Sequence, residues 1–176
     1  MARIPLIRIA DMTAAQRAQY DRFPSNLSRA LLLADDRLAG ALPNLANALR
    51  ASDLDPTLRE AVILRVAALT GSTYERMQHL GQAEKAGLNP EAIAAIETGD
   101  VATLPPTMAA ALALADACVA SPRVPDEVFD AARAVLSPRD LVTVILLTGH
   151  YLMVGRLLAT LDVELDSAPD SWAAEH

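Results

Sequence analysis

The sequence predicts an all-α fold, and three observations predict it. Helix start and stop signals, short polar caps followed by proline and closed by glycine, recur along the whole chain. No stretch sustains the period-two alternation of β-branched residues that marks a strand. The 176 residues are 52% hydrophobic and 21% charged, ample for one buried core, so wholesale disorder is excluded.

Each element follows from its own signals. Thr13 to Phe23 reads as a first helix, stopped by Pro24. Asn26 to Ala34 and Arg37 to Ala51 follow as short helices, with Pro43 the candidate break between turns. Asp55-Pro56 is a cap followed by proline at the first helical position, and the helix it opens, TLREAVILRVAALT, stops at Gly71. Ser72-Thr73-Tyr74-Glu75 is a capping-box pattern that opens the next helix, which runs to Gly87. Asn89-Pro90 repeats the cap-then-proline signal for a short helix ending near Gly99. Pro105-Pro106 starts an alanine-rich helix to about Ser121, and Val124 to Leu136 gives another. Ser137-Pro138 opens the most apolar helix, with LVTVILLTGHYLMVGRLLATL over residues 141–161. His150 and Arg156 would be costly at mid-bilayer, so this helix is expected in the core of a soluble bundle. From Asp162 the tail turns acidic and irregular. One domain is expected, with a helical lead-in over 1–53, a core over 54–161 and a tail over 162–176.

A faint repeat runs through the core. At an offset of 82 positions Leu54, Pro56, Val62, Ile63 and Leu64 match Leu136, Pro138, Val144, Ile145 and Leu146. Chance likeness between proline-started apolar helices explains this equally well. In either case Glu60 aligns with Val142 and His79 with Leu161, so only the first copy carries acid–base groups.

Composition removes several functions. Fifteen basic residues against 22 acidic give a net charge of −7, the wrong sign for a general nucleic-acid binder. One Trp, three Tyr and two Phe are too few for a base-stacking platform. Cys118 is the sole cysteine, which rules out an internal disulfide, a CxxC pair and a cysteine-based zinc site. The N-terminal MARIPLIRIA has its apolar stretch broken by arginines, so a signal peptide is not expected. A cytoplasmic protein with no membrane or nucleic-acid partner is expected. A homo-oligomer is also expected, because so apolar a chain leaves more apolar surface than a small bundle hides.

The residues around Gly71 carry the candidate chemistry. Glu60 lies eleven residues before this turn and His79 eight after it. At about 1.5 Å rise per residue, an antiparallel hairpin brings the two within about 4–5 Å in depth. Ser72, Glu75 and His79, spaced i, i+3, i+7, share a face of the second helix. Two carboxylates and an imidazole can thus converge between apolar helices, where burial requires them to pair. Such a group suits general acid–base catalysis. The plainer reading makes Glu75–His79 a surface pair and Glu60 an exposed acid. A metal is not expected, since no second histidine stands near.

The stretch from Leu54 to Ala94, LDPTLREAVILRVAALTGSTYERMQHLGQAEKAGLNPEAIAA, resembles the carboxymuconolactone decarboxylase family, whose superfamily includes the alkylhydroperoxidase AhpD. The stretch from Asp126 to Leu165 is similar to that family's closing helices. The resemblance implies an AhpD-like helical bundle, assembled as trimers or hexamers, or as dimers. In AhpD-like members a glutamate and eleven further residues precede C-x-x-C-x-x-x-H. Glu60 and His79 keep the outer positions of this pattern, while Ser72 and Glu75 stand where the cysteines would be. Dithiol peroxidase chemistry needs both thiols and is not expected.

The Glu75–His79 spacing instead looks like the decarboxylase branch, which removes a carboxylate from a small lactone without a cofactor. There the resemblance gives His79 the proton-donor role, with Glu75 or Glu60 setting its charge and tautomer. Glu60, Glu75 and His79 are therefore the expected catalytic residues, and Ser72, Tyr74, His150 and Tyr151 the pocket or supporting ones. For His150 a hydrogen-bonded core histidine is the blander reading, and Gly149 and Gly155 read as points of close helix approach. Lys85, the one lysine, falls too late on its helix for Schiff-base chemistry. Arg59, Arg65, Arg76 and Arg156 are equal candidates to bind a substrate carboxylate. The competing function is a non-redox small-molecule binding protein on the same scaffold, and a weaker one is peroxide reduction through Cys118.

Overall fold

The structure, a computed structural model, describes residues 2–168. Among these the chain forms nine α-helices and no strand: α1 (Ala14–Tyr20), α2 (Asn26–Leu31), α3 (Asp36–Arg50), α4 (Pro56–Thr70), α5 (Thr73–Lys85), α6 (Pro90–Thr98), α7 (Pro106–Ala120), α8 (Asp126–Val135) and α9 (Pro138–Leu161). Short 3-10 turns occupy Ile9–Asp11 and Val101–Thr103. The all-α expectation holds. Differences are local: α1 and α2 end three residues early, in hydrogen-bonded turns. Pro43 does not break α3, which runs through it unbroken. The missing N–H and the ring crowding cost about 3 kcal/mol, offset by the Asp35 cap and by packed Ala39 and Leu42.

The helices gather into two compact units. The first comprises residues 1–51 and the C-terminal segment from Leu157. Its helices start on side-chain caps: Thr13 with Gln16 in a capping box, then Ser25 and Asp35. Leu31, Leu32 and Ala39 form its core, with Tyr20, Leu27 and Leu157 packed against them. The segment after α9 is irregular and tied down by Asn26, whose backbone N–H donates to Asp166 at 2.7 Å and whose side-chain amide donates to the Glu164 and Leu165 carbonyls. The end of the expected acidic tail, residues 169–176, lies outside the described residues.

The second unit, Ser52–Arg156, is built around α4. Helices α5, α6 and α7 pack on α4, and α8 packs on α7. Ala61, Val62, Leu64 and Val66 are fully sealed from solvent. Arg65 ties three helices together, gripping Asp116 of α7 at 2.7 and 2.8 Å and the α6 carbonyls of Ile96 and Glu97. The α4–α5 turn rests on Gly71 in the left-handed region, φ 65°. α9 crosses this turn at Gly155, where an added Cβ would lie 3.2 Å from Thr70 Oγ1 and 3.5 Å from Ser72 Cβ. Gly149, in contrast, faces open space, so its expected role in close approach is corrected.

α9 is the described helix long and apolar enough, by length and composition, to cross a membrane. One of its faces is packed, through Leu141, Val144, Leu147, Tyr151 and Val154, as a core helix requires.

Candidate functional site

The α4–α5 hairpin places the site. Asp55 accepts the Leu58 amide hydrogen at 3.0 Å and Pro56 follows it, fixing where α4 begins. Ser72 Oγ accepts the Glu75 amide hydrogen at 3.3 Å, fixing where α5 begins. The expected capping box is only half formed. The Ser72 backbone N–H already donates to Ala67 O at 2.8 Å, and the Glu75 side chain turns inward to His79 instead.

Glu60, Glu75 and His79 do meet, and all three are buried, at 3%, 4% and 5% exposure. The surface-pair reading is thereby excluded. Glu60 Oε2 lies 2.9 Å from His79 Nδ1, and its Oε1 accepts from Arg59 Nε at 3.1 Å. A carboxylate only accepts, so Nδ1 carries the hydrogen and donates. That leaves Nε2 as the working nitrogen, and Glu75 Oε2 sits 3.7 Å from it, within ion-pair range but beyond a hydrogen bond.

The two carboxyls are pushed in opposite directions. Burial drives Glu60 up, but hydrogen bonding and charge attraction from His79, then from Arg59, outweigh it and hold the carboxyl below its usual value. At Glu75 burial dominates and the attraction of His79 only partly opposes it, so the carboxyl is raised. One site therefore holds a carboxylate kept charged beside another driven toward its neutral, proton-bearing form.

α9 supplies the facing wall. The Tyr151 ring stands edge-on to His79, centroids 5.0 Å apart at 88°, and edge-on to His150, 5.0 Å at 83°. His150 is buried, as the blander reading has it, but leaves its Nδ1 without a hydrogen-bond partner. Burial, with the nearby charge of His79 as a second cause, lowers His150 to about 4. Ser72 is buried and occupied in capping, and Tyr74 is buried on α5.

Of the four candidate arginines only Arg59 touches the site. Arg65 is engaged by Asp116, Arg76 pairs with Glu97, and Arg156 is exposed. Nothing in the sequence singled out Arg59, whose tie to Glu60 joins chain neighbours that point in different directions from a helix. Gln78, buried beside His79, was also missed. Cys118 lies on α7, half-buried, its thiol pushed up by burial. Among the described residues no group of three or more His, Cys, Asp or Glu is arranged to hold a metal ion.

Residues 37–117 match the carboxymuconolactone decarboxylase family. No curated protein matches this sequence. Several solved structures share the fold. An uncharacterised peroxidase-related protein from Ralstonia eutropha JMP134, described as an alkylhydroperoxidase AhpD core, is 20% identical with a TM-score of 0.79, covering 94% of this chain and 93% of that one. A protein of unknown function from Agrobacterium tumefaciens, a putative antioxidant defence protein AhpD by its description, is 20% identical with a TM-score of 0.67, covering 72% and 88%. The debrominase Bmp8, in a cysteine-to-alanine form complexed with 2,3,4-tribromopyrrole, is 17% identical with a TM-score of 0.77, covering 99% of both chains. At these identities the likeness establishes the fold alone. The resemblance read from the sequence holds: an AhpD-like helical fold, with the carboxymuconolactone decarboxylase family match over residues 37–117.

Proposed function

We propose that this carboxymuconolactone decarboxylase family chain is a cofactor-free acid–base enzyme, of decarboxylase, lyase or isomerase type, acting on a small carboxylated or lactone-like metabolite. The observation that carries the reading is the buried Glu60–His79 hydrogen bond of 2.9 Å, with Glu75 standing at the other imidazole nitrogen. Glu60 fixes the ring and its tautomer, the orienting role a carboxylate plays behind a working histidine. In a decarboxylation the bond to the carboxylate breaks, CO₂ leaves, and its electron pair stays on the substrate as an enolate or carbanion. The His79 Nε2 proton then passes to that carbon. Glu75, the raised carboxyl, lies one small side-chain shift from reloading Nε2. Arg59, held at the edge of the site by Glu60, is the arginine best placed to meet a substrate carboxylate. With serine and glutamate at the thiol positions and the Cys118 thiol disfavoured as thiolate, redox exchange has no support.

A substrate screen over small lactones and carboxylated lactones, followed by His79→Ala and Glu60→Gln, tests this. Turnover in the wild type and its loss in both variants is expected; full activity in both sinks the assignment.

One finding favours a second reading, a binding protein without turnover: the Bmp8 form that holds tribromopyrrole has a cysteine replaced by alanine. Thermal stabilisation by screened compounds with no product formed would select it. We also propose that the chain self-associates, because α9 exposes Val142, Leu146 and Met153 at about half their surface. A monomer by light scattering at micromolar concentration would overturn that.

A further inference from the structure

His150 is the buried side chain, among the described residues, with a polar atom left without a hydrogen-bond partner. The residue is 5% exposed, and Nδ1 is the unpaired atom. Proteins pair nearly all such atoms, because an unpaired one forgoes its hydrogen bond to water and gains none inside. A buried unpaired atom close to a site of proton transfer therefore needs an account, and a ligand that supplies the missing partner is one. The location fits. The Tyr151 ring touches both imidazoles at 5.0 Å, so His150 and His79 stand against one ring of the site wall, no further apart than those two distances laid end to end.

His150 is also unsuited to another task. Burial, with His79 as a second cause, lowers it to about 4, so it is no proton reservoir at neutral pH. What remains is an uncharged imidazole with a nitrogen to offer. We propose that His150 is a specificity-determining residue of the Glu60–His79 site, donating its Nδ1 hydrogen to the carbonyl oxygen of a small cyclic ester. A carbonyl oxygen only accepts, so the interaction selects the tautomer with hydrogen on Nδ1. The substrate class rests on the acid–base reading above. The role of His150 adds to it a means of rejecting rings that lack the carbonyl, since those leave Nδ1 buried and unpaired.

Two matched probes test this. 5-Oxotetrahydrofuran-2-carboxylate carries a ring carbonyl and a carboxylate, and tetrahydrofuran-2-carboxylate lacks only the carbonyl. By calorimetric titration the wild type is expected to bind the first about 5- to 10-fold more tightly, the range of one neutral hydrogen bond. His150→Leu should abolish that preference and His150→Gln, which keeps a donor, should retain part of it. In ¹⁵N NMR of the intact wild-type protein, the His150 Nδ1 signal should move with the first probe and stay put with the second. This readout stands even if the leucine variant fails to fold. Equal binding of the probes by the wild type, no binding of either, or a preference surviving in His150→Leu overturns the proposal. His79→Ala is expected to keep the preference. Should that variant instead retain full activity on a substrate found by screening, the acid–base reading fails while the His150 result stands.

Discussion

α4 and α9 start from nearly the same letters. Each has a proline in its first turn, Pro56 and Pro138, and each follows a buried leucine, Leu54 and Leu136. Each carries a Val-Ile-Leu triplet at the same offset. In α4 all three residues are sealed from solvent, whereas in α9 Val144 is sealed but Ile145 and Leu146 are 37% and 55% exposed. The difference lies in the neighbours. α4 has helices on several sides, so a polar group inside it must be paired, and Glu60 and Arg65 are. α9 packs one face and presents the other. An apolar run reports burial only once it is known how many faces are covered.

The largest expected effect separates the chemistry of the two helices. His79→Ala and Glu60→Gln should lower turnover by about 10²- to 10⁴-fold, the usual worth of a positioned acid or base. Val142→Gln, at the position of α9 that aligns with Glu60, should leave it unchanged. Steady-state kinetics on the screened substrate decide this, and a comparable loss in Val142→Gln would break the contrast.

Packing gives the next effect. Leu64→Ala should destabilise by about 2–5 kcal/mol, and its counterpart Leu146→Ala, at concentrations dilute enough to keep the chain monomeric, by no more than about 0.5 kcal/mol, as for an exposed site. Urea midpoints measure both.

The third effect is a pH dependence carried by His150. Its folded value near 4 lies below the ordinary 6.5, so its contribution is fully present above pH 6.5 and is lost as pH falls toward 4. The loss is on the order of 3 kcal/mol over that window. His150→Gln should remove that part of the acid sensitivity, measured as the difference between wild-type and variant stability at pH 7 and pH 4.5. Glu60, held low, loses its contribution as pH falls below the usual carboxylate value, while Glu75, held high, loses its own as pH rises. Both are common to wild type and variant and cancel in the difference.

The smallest effect contrasts two glycines of α9. Gly149→Ala, in open space, should stabilise by about 0.5–1 kcal/mol through helix propensity. Gly155→Ala should lose that gain against Thr70 Oγ1 at 3.2 Å. In a Thr70→Ala background, the two alanine substitutions should converge, and failure to do so would place the restraint elsewhere.

The sequence made much of this legible for identifiable reasons. Helix starts such as Asp55-Pro56 and Asn89-Pro90, and the stop at Gly71, are local chemistry, and the structure keeps them. The meeting of Glu60 and His79 followed from counting outward from one turn, which works because rise per residue is fixed. What could not be read depends on contacts between distant segments. Tyr151 against His79 and the occupation of Arg65 by Asp116 each join residues from separate helices, and the nitrogen of His150 is unpaired because no such partner reaches it. Pro43 misled because a propensity is outvoted by packing.

The cap at Ser72 bears on how such a chain could change its chemistry over time. A cysteine substituted there would meet a helix N-terminus already in place, a setting that favours the thiolate. Its partner at 75 would have to displace a buried carboxyl that faces the working nitrogen of His79. On the proposed acid–base reading the two positions are therefore unequal: a cysteine at 72 is a small step for the backbone, and one at 75 removes the buried carboxyl beside His79. A lineage taking the first step keeps Glu60, Glu75 and His79, and gives up one of them only at the second.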